Sequence, residues 1–201
     1  MAVNCTSELV ADILRNCDNP PIAGIETNVI FINSDDIDRT ATTYLPADKL
    51  VMTNLALKAG KSGVLIEGVK QINVALAELV KKETSQDRFA HGFTGTLLSD
   101  IGSAKKNLQA FAEGARVVVV IETKFKGVQQ KEAFHVLGYD QGLEISTGNW
   151  STAENDGAWT FELRSTDGYE EPKVPMTLLE TDYNTTKVAF DNKFATAQGE
   201  D

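Results

Sequence analysis

The chain has 201 residues, of which 42% are hydrophobic and 24% charged, a composition that is typical of globular proteins and excludes a low-complexity chain. Its formal net charge of −10 argues against a surface that grips nucleic acid phosphates, because such binding needs clustered Lys and Arg. Two cysteines are too few for a disulfide framework, and no run reaches the ~18 apolar residues of a membrane span. We therefore expect one globular domain, made in the cytoplasm and not bound to membranes, with Cys5 and Cys17 as free thiols.

Apolar alternation and turn residues divide the first half of the chain into short strands. The predicted elements are a short helix capped at Thr6 or Ser7 and ended by Pro20, strands at 25–33, 50–58, 64–67, 71–82 and 89–98, and polar loops at 34–49 and 83–88. The glycine-rich turn at 59–63 predicts that the strands on either side of it pair as a hairpin. The segment 71–82 also contains helix formers, but its period-2 alternation favours a strand.

The central block at 101–143 predicts a helix, a glycine stop and a two-stranded hairpin. The helix, at about 101–113, has Leu108 and Phe111 on one face, Ser103 placed to cap its start and Gly114 just past its end. A β-branched strand at 115–123, a turn at 126–131 and a strand at 133–138 follow. Because the first of these strands is apolar on both faces, we expect the helix on one side of it and a second sheet on the other.

The last third of the chain predicts one clear strand and a short helix. A loop at 146–157 holds Trp150, and Trp159, Phe161 and Leu163 then alternate on one face of a strand. Asp182 or Asn184 is placed to cap the last helix, and a loose polar tail occupies 195–201. Strands follow strands with one helix inserted, so the fold is predicted to be α+β and mainly β. We expect an antiparallel sandwich or barrel in a single domain, 1–201, with projecting loops.

Two polar segments are candidates for phosphate or metal binding, and each has a simpler structural interpretation. Gly-Lys-Ser at 60–62 matches the end of a phosphate-binding loop, but Leu55 stands where that loop needs glycine, and a strand follows instead of a helix. Asp35, Asp36 and Asp38 crowd three carboxylates together without the glycine of a calcium loop. We expect a turn and a solvated loop, and no metal or other cofactor.

His91 and His135 are the only histidines, and no nucleophile motif lies near either of them. A catalytic pair stays open, because catalytic partners meet only in the fold, but structural roles are favoured and no catalytic residue is predicted. Trp159, on an apolar strand face, is expected in the core. Trp150 lies among polar residues and is a candidate for a protein interface, where tryptophan is enriched.

The order of strands and helix in the second half of the chain is similar to that of a known class of proteins. The elements that carry this similarity are a strand with His-Gly-Phe-Thr-Gly-Thr at 91–96, the helix that ends at Gly114, the strand 116–122, the segment 134–143 through Gly-Tyr-Asp-Gln-Gly, the strand 159–163 and the Glu-Pro at 171–172. This arrangement resembles the structural proteins of tailed bacteriophages, and most of all tail tube proteins.

The resemblance implies both an architecture and a function. Tail tube proteins form a small β-sandwich or barrel flanked by a helix and close head-to-tail into rings, commonly hexameric, whose strands join into a continuous inner β-barrel. Stacked rings, often linked by a long loop or hairpin, form a conduit through which DNA passes without specific binding. The resemblance therefore implies a non-enzymatic virion protein whose partners are copies of itself and other virion proteins. The loop 34–49 is the candidate inter-ring arm.

Two other classes remain open from the sequence. One is a different virion component, such as a head, connector or decoration protein, which ring symmetry would distinguish. The other is a β-rich binding module or a hydrolase. A hydrolase should lose activity when His91 or His135 is replaced, whereas a structural protein should lose assembly only when interface residues are changed.

Overall fold

The computed structural model describes residues 12, 17, 20–68, 72–97, 102–153 and 157–195. These residues form eleven strands and two α-helices, so the fold is α+β and mainly β, as the sequence predicts. The helix predicted behind Thr6 lies outside the described residues, as does nearly all of the tail predicted at 195–201. None of the described helices is long and apolar enough to cross a membrane.

The strands form two sheets. The larger sheet contains β1 Ile25–Asn33, β2 Thr43–Leu45, β3 Asp48–Asn54, β4 Val64–Glu67, β7 Val117–Thr123, β8 Phe134–Leu137 and β11 Met176–Leu178, in the order β2-β3-β11-β8-β7-β1-β4. The smaller contains β5 Val74–Val80, β6 Arg88–Leu97, β9 Glu144–Trp150 and β10 Trp159–Arg164, in the order β5-β6-β10-β9. All pairings are antiparallel except that of β3 with β11.

The predicted hairpin of the central block is confirmed as β7 and β8, and β7 is buried on both faces. Val117, Val119 and Ile121 belong to an apolar cluster that the smaller sheet and α1 (Gly102–Ala112) complete. Val118 and Val120 belong to a second cluster that α2 (Tyr183–Asp191) covers. The expectation that α1 and the second sheet lie on opposite faces of this strand is therefore wrong. The apolar run requires cover on both faces, but it does not specify which elements provide it.

The end of α1 and the start of α2 lie where the sequence indicates, whereas the start of α1 does not. Gly114 follows α1 with φ +91°, a left-handed conformation that glycine adopts without strain. Ser103 lies inside α1, which begins at Gly102, so the predicted cap at Ser103 is wrong. At α2 the predicted cap is confirmed, because the Asp182 carboxylate accepts a hydrogen bond from the Thr185 backbone N at 2.8 Å.

The hairpin predicted around 59–63 does not form. β3 pairs with β2 and β11, whereas β4 pairs with β1 at the far edge of the same sheet. The connection between them crosses the face of the sheet, where Leu55 and Leu57 are buried in the cluster under α2. The glycines correctly indicate a turn, but turn residues alone do not determine whether the strands before and after the turn pair with each other.

Two of the predicted loops are shorter than expected. The segment 34–49 contains a 3-10 turn at Ser34–Asp36, all of β2 and the start of β3, so its projecting part is the tip of the β2–β3 hairpin. The segment 146–157 begins inside β9, which continues to Trp150. Ser, Thr, Gly and Asn predominate in β9, and cross-strand pairing with β10 overrides their weak strand propensity.

Candidate functional site

Two of the three acidic residues that precede β2, Asp36 and Asp38, are bonded to neighbouring polar and basic groups. Asp36 accepts a hydrogen bond from Asn33 and pairs with Lys61 at 2.9 Å. One carboxylate oxygen of Asp38 accepts from the backbone N of Thr40 and of Ala41 and from the Thr40 hydroxyl. Among the described residues, no group of three His, Cys, Asp or Glu side chains is placed to hold a metal ion. Lys61 therefore acts as a structural partner of the acidic segment, in a turn that leads into a strand.

His91 is held in one tautomer by the turn that follows β8. Its Nδ1 accepts a hydrogen bond from the Gly138 backbone N at 3.1 Å, so Nε2 carries the proton and donates to the Lys173 carbonyl at 3.0 Å. The side chain is 2% exposed, and burial lowers its pKa to about 4 against the opposing effect of the Lys173 carbonyl. His91 is thus a neutral cross-link between β6 and two loops.

The buried neutral His91 predicts a specific dependence of stability on pH. The unfolded chain protonates this histidine near pH 6.5 and the folded chain only near pH 4, so stability is fully present above pH 6.5 and falls as the pH drops through this window. We expect a loss of roughly 2–3 kcal/mol by pH 4.5. Urea unfolding of the wild type and of His91→Gln should show a smaller pH dependence in the variant.

Other groups also change stability over this window, and they are common to the wild type and the variant. Burial also lowers the pKa of His135, which adds to the acid loss, and burial raises the pKa of the Glu171 carboxyl, which opposes it. Both contributions remain in His91→Gln, so the difference between the two proteins isolates His91. An equal pH dependence in the two would contradict the assignment.

Glu171 is a buried carboxylate that holds a turn in place, and nothing in the sequence indicated this role. It is 1% exposed, and its two carboxylate oxygens accept hydrogen bonds from the backbone N of Asp140 at 2.9 Å and of Gln141 at 2.8 Å. Together with His91 it fixes the turn between β8 and β9, and so sets the direction in which β9 leaves the core. The Glu-Pro at 171–172 gave no signal of this contact.

The most distinctive feature of the smaller sheet is its pair of edges. Within the described residues, neither β5 nor β9 pairs with a further strand. Each edge strand has seven residues, and the two run in opposite directions because three antiparallel pairings separate them. Both edges expose apolar side chains, with exposed fractions of 52% for Val74, 54% for Leu79 and 46% for Trp150. Such edges are templates for pairing with another chain.

The face of this sheet that points away from the core carries hydroxyl and charged side chains, together with the apolar Val74, Leu76 and Val80 along β5. Thr94, Thr96 and Thr160 lie on it, as their register with Glu162 and Arg164 shows. Arg164 contacts Glu78 at 3.1 Å and Glu162 at 2.9 Å, and so bridges β5 and β10 across β6. This face presents no cluster of free positive charge around Arg164, because two carboxylates share that guanidinium.

The two tryptophans form a stacked pair at the β9 edge. Trp150 and Trp159 are cross-strand partners, with ring centroids 6.2 Å apart and planes 23° apart. The Trp150 Nε1 donates a hydrogen bond to the Gly157 carbonyl at 2.9 Å, which fixes the ring although it is half exposed. Trp159 packs against the inter-sheet cluster, as predicted, and Trp150 is a rigid aromatic surface.

A cavity of about 600 Å³ opens between the sheets next to the start of β5. Its walls are mainly apolar and come from 21–25, from 73–75 and from the ends of β7 and β8, including Ile121 and His135. Asn73 in its wall is 4% exposed, and neither of its amide atoms has a hydrogen-bond partner. His135 is neutral at neutral pH because burial lowers its pKa, so the cavity suits an apolar group rather than an ion. Both ring nitrogens of His91 are bonded to backbone groups, whereas His135 lies in the wall of this cavity.

No protein-family model matches this chain, and comparison with the curated proteins and with the solved structures gave no match.

Proposed function

We propose that this protein is a non-enzymatic structural component of a bacteriophage virion, a tail tube protein that assembles head-to-tail into stacked rings through which DNA is ejected. The observation that carries this proposal is the smaller sheet, whose two open edges have equal length and opposite direction. β9 of one copy can continue the sheet of the next copy at β5 without interrupting the antiparallel order. A head-to-tail contact of this kind removes both edges when it closes into a ring.

The outward face of the smaller sheet supports a conduit for DNA. In a closed ring this face lines the lumen, since the opposite face packs on the larger sheet. This face carries threonine hydroxyls, the Glu78–Arg164–Glu162 group, in which two carboxylates neutralise one guanidinium, and Arg88 as a further cation, and the chain carries a net charge of −10. DNA phosphates are bound by clustered cations, so a lumen of this composition lets DNA slide.

The β2–β3 hairpin supports contact between stacked rings. Its tip is at the edge of the larger sheet and exposes Leu45 and Leu50, by 42% and 41% respectively. Exposed apolar side chains on a projecting hairpin are suited to an interface. The hairpin thus takes the role of the inter-ring arm proposed for 34–49.

Assembly of the purified protein tests the proposal. Light scattering and size-exclusion chromatography over a wide concentration range should show growth from monomer to a closed oligomer of defined size, and then to longer particles. A protein that stays monomeric at the highest accessible concentration would contradict the proposed function.

A further inference from the structure

We propose that Trp150 of one copy inserts into the inter-sheet cavity beside β5 of the next copy, and thereby fixes the register of the ring. The inference rests on the proposed head-to-tail ring. It adds that Trp150 is the inserted side chain of the interface and that the cavity beside β5 receives it. Both parts lie on this chain, one at each open edge of the smaller sheet, so a single surface pair is repeated around the ring.

The side chain and the cavity lie on the same side of the sheet. Trp150 pairs with Trp159, and Ala75 pairs with Phe93. Trp159, Phe93 and Ala75 all pack in the cluster between the two sheets, so Trp150 and Ala75 both point toward the larger sheet. When two strands pair, opposite residues share a face, and the faces match when Trp150 lies opposite Ala75, a small residue in the cavity wall.

This register has the stagger that barrel closure needs. Within one sheet, the register places Trp150 opposite Trp159, and Trp159 opposite Leu97 of β6. Ala75 lies opposite Phe93, which is four residues before Leu97 on the same strand. Placing Trp150 opposite Ala75 of the next copy therefore offsets the copies by about 13 Å, at ~3.3 Å per residue. Across four strands spaced ~4.8 Å, or about 19 Å, the offset corresponds to a tilt of about 35°, which is typical of closed β-barrels.

The chemistry of the two parts is complementary. The indole is presented rigidly, because it stacks on Trp159 and its Nε1 is already bonded to the Gly157 carbonyl. It therefore needs no polar partner in the receptor, and the cavity of about 600 Å³, whose walls are mainly apolar apart from Asn73, Thr123 and His135, is large enough for one ring. Preorganised aromatic side chains in such pockets are the usual centres of protein interfaces.

Fluorescence of the Trp159→Phe variant tests the inference, because Trp150 is then the only tryptophan in the chain, while an aromatic ring at 159 and the bond from Nε1 to the Gly157 carbonyl still hold it. We expect its emission to shift to shorter wavelength on assembly, and quenching by acrylamide to fall severalfold. Trp150→Ala should raise the concentration needed for assembly at least tenfold, whereas Val188→Ala, which truncates an apolar side chain of α2 that is 60% exposed, should leave it unchanged.

The outcomes separate this inference from the proposed function. If the wild type and the Trp159→Phe variant assemble but Trp150 stays as exposed as in the monomer, the insertion is wrong and the ring stands. The same holds if Trp150→Ala assembles at the wild-type concentration. If no variant and no wild type assembles, both the ring and the insertion are wrong.

Discussion

Replacing Leu79 by lysine should leave the subunit folded and abolish its assembly. Leu79 lies on the β5 edge with 54% of its surface exposed, so a lysine there keeps its charge in water in the monomer. In a ring the same ammonium would be buried against β9 of the next copy without a partner, at a cost of several kcal/mol. The assembled fraction in light scattering should fall to zero, while the circular dichroism spectrum and melting temperature stay close to those of the wild type.

Val188→Lys is the matched control. Val188 is a similarly exposed apolar residue, at 60%, but it lies on α2, which covers the face of the larger sheet turned away from the smaller one. This variant should assemble as the wild type does. Normal assembly of Leu79→Lys, or equal loss in both variants, would contradict an interface at the β5 edge.

Replacing Phe31 by alanine should cost about 3–5 kcal/mol of stability, the range for large-to-small changes in a packed core. Phe31 joins the two sheets and α1, since its ring centroid lies 5.3 Å from that of Phe93 and 6.1 Å from those of Phe111 and Phe161. It is 4% exposed, so truncation opens a cavity on which three elements border. A loss of this size is a large part of the total stability of a typical domain.

Phe31→Leu provides the graded comparison. Leucine retains most of the volume but loses the edge-on ring contacts, so we expect a cost well below that of alanine. Urea unfolding at neutral pH measures both variants. If Phe31→Ala costs less than about 1 kcal/mol, the cluster around Phe31 does not hold the two sheets together as described.

The parts of the fold that local sequence determines were predictable. The alternation at 74–80 indicated β5 against helix-forming residues, and the β-branched run gave β7, both of which the structure confirms. Asp182 and Gly114 marked helix ends because caps and left-handed glycines act within a few residues. In each case the signal and its structural consequence lie in the same short segment.

The parts that depend on distant partners were not predictable. Nothing near β4 indicates that it pairs with β1 rather than β3, and nothing in the apolar run of β7 assigns α1 and α2 to its two faces. The edges of the smaller sheet emerge only when the strand order is known, so Trp150 was an interface candidate without a location. Glu171 was missed because its hydrogen bonds reach across about thirty residues.

Electron microscopy of the assembled wild-type protein tests the central claim most directly. The account predicts rings in which density for β9 of each subunit runs antiparallel to β5 of the next, so that the smaller sheets form one closed barrel around a lumen. Particles that remain monomeric, or rings in which β5 and β9 both face solvent, would contradict it.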